Sequence, residues 1–134
     1  MKSVAAAIAF REGKVLVTRR APGQKLAGYW EFPGGKLEPG EDVKTCIERE
    51  LQEELGVTST AGEVLTVSEY NYPGGAVSLI GIEVAIHGTN FILTVHDQFA
   101  WKAPEELMEL NLAPADIPIA KRIRKRAKAT RSKS

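Results

Sequence analysis

The stretch Gly35–Val57, GKLEPGEDVKTCIERELQEELGV, decides the fold, because it reads as a loop turning into one amphipathic helix. Pro39 and Gly40 break what precedes them, Asp42 is placed to cap free backbone N–H groups, and Gly56 supplies a left-handed stop. The helix is therefore expected from about Asp42 to Leu55. Val43, Ile47, Leu51 and Leu55 recur every fourth residue, which builds an apolar stripe that must pack against a larger surface. Cys46, beside Ile47, reads as a packing residue.

Glu50, Glu53 and Glu54 follow the i, i+3, i+4 rule, so three carboxylates share one helix face and repel each other. A Glu-rich helix face is ordinarily just solvated. A divalent cation is the simplest functional reason for such spacing. Hard oxygen ligands from one helical turn suit Mg²⁺ or Mn²⁺, which keep waters and accept phosphate oxygens as further ligands.

The motif is longer than three glutamates. Gly35, five residues, Glu41, seven residues, then Arg49-Glu50-Leu51-Gln52-Glu53-Glu54-Leu55-Gly56-Val57 matches the Nudix box at every fixed position. The chain thus resembles the Nudix hydrolases, and Trp30-Glu31-Phe32-Pro33-Gly34-Gly35 is similar to the lead into the box in their MutT-like branch. The resemblance implies an α/β fold, an α/β/α sandwich with a mixed β-sheet, and hydrolysis of a nucleoside diphosphate linked to another group. It implies Glu50, Glu53 and Glu54 as metal ligands and catalytic residues. It also implies Gly35, with Gly34 and Lys36, as the loop that reaches metal and phosphates. Glu41 and Arg49 are implied to form an ion pair pinning loop to helix. Mg²⁺, with Mn²⁺ as substitute, is the expected cofactor.

Composition is compatible with this. At 134 residues, with 43% hydrophobic and 26% charged, one domain spanning the whole chain is expected. Net charge is +1, but eight of the 18 basic residues lie from Lys121 onward with no acidic one, leaving ten basic against 17 acidic in the body. An acidic body repels nucleic acid and nucleotides unless a metal or a local basic patch offsets its field, which favours a metal-dependent phosphate enzyme over a polymer binder. One cysteine excludes an internal disulfide and is compatible with the cytoplasm. The apolar run Val4 to Phe10 is short and meets Arg11 and Glu12 at once, so it reads as a strand, and no run is long enough to cross a bilayer.

In order, Val4 to Phe10 and Lys14 to Arg19 read as paired strands around Arg11-Glu12-Gly13. The alanines of the first imply close packing, by the box helix above all. Arg20 to Tyr29 reads as a loop carrying Arg20 and Lys25 toward phosphate or solvent. Trp30 and Phe32 read as core or as a nucleobase shelf, and the resemblance puts Phe32 in the base pocket. Ala61 to Tyr72 is expected as a strand with Leu65 and Val67 on one face and Val64, Tyr70 and Tyr72 on the other. Ala76 to His87 is expected to be central and buried on both faces. A strand or extended piece follows at Phe91 to Val95, then a short helix beginning at Pro104 and a last helix over about Ile117 to Lys128. The basic end, about 128–134, is expected to fray.

Two departures bear on function. MutT-like relatives often carry a further Glu, often followed by His, where this chain has Val95 followed by His96. Asp97 is the nearest carboxylate that can take its place, and His96 reads as a surface or structural residue. Near the C terminus, Leu112-Ala113-Pro114-Ala115-Asp116-Ile117-Pro118 is similar to the base-reading segment of MutT-like enzymes. Enzymes acting on oxidised guanine triphosphates often have Asn in place of Asp116, and this version resembles bacterial pyrophosphohydrolases of CTP and modified dCTP. Asp116 equally suits an N-cap of the last helix. The expected substrate is a nucleoside triphosphate such as 8-oxo-dGTP, CTP or modified dCTP, cut to monophosphate and pyrophosphate. Two alternatives remain: another nucleoside diphosphate-linked substrate, or a non-catalytic binding module that uses the basic tail.

Overall fold

The computed structural model describes residues 1–133, with side-chain surroundings through Ala129. The strands are β1 (Lys2–Arg11), β2 (Lys14–Arg20), β3 (Trp30–Glu31), β4 (Gly34–Lys36), β5 (Thr58–Tyr72), β6 (Gly75–His87) and β7 (His96–Lys102). The helices are α1 (Val43–Leu55) and α2 (Ile117–Lys133), with 3₁₀ turns at Pro104–Glu109 and Pro114–Asp116. β1 lies parallel to β6 and antiparallel to β4, while β5 completes that side through β6. β2 pairs with β3 and β7. The hairpin joining β1 and β2 turns at Glu12-Gly13 with φ of 52° and 78°, and the two strands share only Phe10↔Val15 and Arg11↔Lys14.

Alternation along β1 explains the layers. Ala5, Ala7 and Ala9 face Cys46, Ile47, Leu51 and Leu55 of α1, whereas Ala6 and Ile8 face Ile119, Ala120 and Ile123 of α2. The sheet is thus sandwiched between helices. Methyl side chains on β1 let α1 lie close, as the alanine-rich sequence required. Ala7→Leu is expected to cost about 2 kcal/mol by overpacking, and an unchanged urea midpoint would show that α1 does not press on β1.

The ends of α1 are those the sequence marks. Asp42 accepts from Thr45 N at 2.8 Å, and Gly56 adopts φ 65°. β6 is central as expected, with Ile82, Val84 and Ile86 toward α1 and Leu79 toward α2. β5 differs from its expected pattern. Register shifts at Ala61/Val64 and Val64/Thr66 break its alternation, so Leu65 packs inward while Val67 is exposed, and the two do not share a face.

Phe91 to Val95 is not a strand. Ile92 N donates to Leu55 O at 2.9 Å, Thr94 N to Glu54 O at 3.2 Å, and Thr94 Oγ1 to Glu53 O at 3.2 Å. The segment satisfies carbonyls that the last turn of α1 leaves open, and the strand begins only at His96. α2 continues past the expected end near Lys128, and of the segment expected to fray, Ser134 lies outside the described residues.

Candidate active site

The site is built on β4, which pairs with β1 through Val4↔Lys36, Ala5↔Gly35 and Ala6↔Gly34. Ala7 N also donates to Pro33 O at 2.7 Å, so the loop is clamped to the sheet before it turns into α1. Both glycines sit in close contact, Gly34 with backbone and Gly35 with a side chain. A Cβ on Gly34 would collide with the backbone carbonyl of Ala5, and one on Gly35 with the carboxyl of Glu50. The Lys36 side chain is exposed, and only its carbonyl faces α1, accepting from Arg49 Nη2 at 3.3 Å.

Arg49 organises the helix face. It meets Glu41 bidentately, Nε to Oε2 and Nη2 to Oε1, each at 2.8 Å, and Glu41 in turn accepts from Glu38 N. Loop and helix are pinned together by this pair. The hydrogen bonds from Arg49 hold the Glu41 carboxyl down at about 2. Arg49 Nη1 also reaches Glu50 at 2.9 Å and Glu53 at 3.2 Å. The three box glutamates are therefore not equivalent. Glu53 is 58% exposed and Glu50 only 13%.

Glu54 is the group under most stress. Burial, then the neighbouring charges of Glu31 and Glu50, push its carboxyl up to about 9, and its Oε1 is buried without a partner among the described residues. Among the described residues, no three side chains are arranged to ligate one ion as they stand, and Arg49 engages both Glu50 and Glu53. The donor chemistry nonetheless fits a hard divalent cation. An unpartnered carboxylate oxygen lies buried in surroundings with surplus negative charge, and Gly35 abuts Glu50.

Glu31 belongs to this site and was missed in the sequence. Trp30 and Phe32 pack in the cluster on the α2 side, and Glu31 stands between them on a two-residue strand. Its Oε2 accepts from His96 Nε2 at 2.8 Å and from Arg20 Nη1 at 3.1 Å. The available signal was a lone acidic residue in the middle of an apolar run. Arg20 is correspondingly engaged within the protein, donating also to Lys25 O at 2.6 Å and Gln24 Oε1 at 3.4 Å, and Lys25 is exposed. His96 is fully buried, which keeps the structural reading and removes the surface one. Asp97 does not replace the carboxylate missing at Val95. It forms a two-pronged salt bridge with Arg19, at 2.8 and 3.0 Å, that pulls it below the usual carboxylate range and draws its side chain to β2.

The second half of the site lies toward α2. Phe32 is 3% exposed, packed among Leu79, Leu112 and Ile119, and its N–H donates to Asp116 Oδ1 at 2.9 Å. Asp116 is thus no N-cap of α2. Its carboxyl serves the Phe32 N–H just after β3 instead, and burial, reinforced by Glu31, pushes it well above the usual range. Next to it, Ala115 N donates to Tyr72 Oη at 3.0 Å. A cavity of about 470 Å³ opens beside Tyr72, walled by Leu26 and Val77 and flanked by Lys2 and Lys25.

The structure therefore brings Gly34, Gly35, Glu50 and Glu54 together with Arg20 and Glu31. It puts Glu53 at the rim and buries Phe32 on the α2 side, with Asp116 bonded to its N–H. An acidic helix against a glycine loop on an α/β/α sandwich defines a hydrolase class. The chain belongs to the NUDIX family, whose domain profile matches residues 1–131, and is a Nudix hydrolase.

Relatives agree. The CTP pyrophosphohydrolase of Escherichia coli is 42% identical over 122 residues, covering 89% of this chain and 88% of that one. The 8-oxo-dGTP diphosphatase of the same organism is 39% identical over 66 residues, covering 49% and 51%. A crystal structure of a MutT protein from Methanosarcina mazei superposes with a TM-score of 0.86 at 24% identity, covering 95% of each chain, and shares the fold. Among the described residues, no helix is long and apolar enough to cross a membrane.

Proposed function

We propose that this protein is a Mg²⁺-dependent nucleoside triphosphate pyrophosphohydrolase of the cytoplasm, clearing CTP-like or oxidised nucleotides, with cytosine triphosphates preferred. The observation that carries the reading is the buried, unpartnered Oε1 of Glu54 beside Glu50 and the Gly35 loop. Such a site gains most from a polyphosphate delivered with its cation. Glu50, Glu54, the carbonyl of Gly35 and, at the rim, Glu53 would hold it. When bound, Mg²⁺ supplies charge neutralisation on the phosphates and a more acidic water. A carboxylate released from its proton, Glu54 first among them, accepts a proton from the attacking water. The α–β anhydride then breaks, and pyrophosphate leaves with the bridging oxygen.

Base preference follows from Asp116. Oδ1 is occupied by Phe32 N–H, which leaves Oδ2 as the oxygen able to accept from the N4 amine of cytosine. The similarity to the CTP enzyme, which spans most of both chains, supports the same choice.

The test is a side-by-side assay of 8-oxo-dGTP, CTP and 5-substituted dCTP with Mg²⁺. Pyrophosphate is the expected product, and orthophosphate would exclude this cleavage point. Asp116→Asn is expected to shift the kcat/KM ratio toward 8-oxo-dGTP by about tenfold or more. An unmoved ratio would remove Asp116 from base reading.

A further inference from the structure

His96 is an odd residue to bury. Its side chain is fully enclosed, Nε2 lies 2.8 Å from Glu31 Oε2, and Nδ1 is buried with no partner among the described residues. Facing a carboxylate oxygen that already accepts from Arg20, Nε2 must carry the proton, which leaves Nδ1 as the unmatched nitrogen. An aliphatic side chain of similar size would fill the space without burying an unmatched polar atom, so packing does not account for the imidazole.

What the imidazole does is hold Glu31. The β3 strand is two residues long and ends at once, giving that side chain little support of its own. Support comes instead from two neighbouring strands. β2 and β7 meet at Arg20↔His96 just beyond a register shift at Arg19/Arg20, and the irregularity brings both donors to Oε2. Oε1 of Glu31 accepts no bond among the described residues. Glu31 directly precedes Phe32, whose N–H donates to Asp116, and its charge also bears on Glu54, so the carboxylate neighbours both halves of the site.

We infer that His96 is a positioning residue of the nucleotide site: with Arg20 it locks Glu31 so that the free Oε1 meets the bound nucleotide between Glu54 and Asp116. This rests on the nucleotide reading above.

The experiment compares His96→Leu, which removes the donor, with His96→Gln, whose amide nitrogen can reach Glu31 as Nε2 does. The probe is the CTP analogue with a methylene between α and β phosphates, titrated calorimetrically with Mg²⁺, alongside melting temperatures and CTP kinetics. His96→Leu is expected to weaken the dissociation constant and raise KM about tenfold, with kcat within about twofold of wild type. His96→Gln should recover affinity to within about threefold of wild type. Adding His96→Leu to Glu31→Gln should cost nothing more, because the partner is already gone. Equal impairment by Leu and Gln, unchanged affinity in the Leu variant, or additive losses would overturn the inference. If His96→Leu does not fold, His96→Asn, too short to reach Glu31, is the broken variant. Wild-type binding without CTP turnover would sink the proposed function and leave this inference standing, whereas turnover with an unaffected variant would do the reverse.

Discussion

Glu54→Gln is expected to lower turnover at least about 1,000-fold, equivalent to about 4 kcal/mol of barrier, while keeping the fold. Glutamine fills the same space but cannot take a negative charge or accept a water's proton. The same variant has a second signature. Glu54 titrates near 9 in the folded protein against 4.5 when free, so between those values the folded state keeps a proton that the unfolded chain has lost. Its stabilising contribution is full below about pH 4.5 and disappears as pH rises through about 9. Cation-free wild type should therefore lose stability, by a few kcal/mol at most, from about pH 5 to about pH 9. Glu54→Gln should flatten that slope. Urea unfolding across this range checks the slope, and a Gln variant with wild-type turnover would show that the reactive carboxylate lies elsewhere.

Gly34→Ala and Gly35→Ala should fail in opposite ways, although the residues are adjacent. At Gly34 the added methyl meets the backbone of Ala5, which cannot yield without parting β4 from β1, so a loss of at least about 3 kcal/mol is expected. At Gly35 it meets the carboxyl of Glu50, the far end of a flexible side chain that can swing aside. Stability should then change little. Turnover should fall about 100-fold, the scale of a displaced catalytic group. Urea midpoints and kcat for the pair separate the two mechanisms, and matching losses of stability would refute the distinction.

Legibility differed along the chain for a physical reason. The ends of α1, its buried stripe and the Glu41–Arg49 pair depend on spacing within one loop and helix, and they were readable there. Glu31 was not, because its importance comes from Arg20 and His96, which reach it across strand pairings. The repulsion inferred from the glutamate spacing was real, but Arg49 already relieves it at Glu50 and Glu53 and leaves it at Glu54. Asp97 was a reasonable substitute on distance along a strand, yet Arg19 captures it. Phe91 to Val95 read as a strand or extended piece because apolar β-formers cluster there, whereas the bonding demand that places it comes from the end of α1.

The amino-acid order alone determined the family, the sandwich of helices on a mixed sheet, the acidic helix with its stops, and the glycine approach to it. The helix, its stops and the glycine approach rest on periodicity and on residues acting within a few positions of one another, and the mixed sheet came with the family resemblance that those residues carry. Which carboxylate is buried and unpartnered, which arginine is already engaged, and which acidic residue joins from outside the box were decided only when the strands assembled. Burial and hydrogen-bond partners are properties of neighbours brought together from distant parts of the chain.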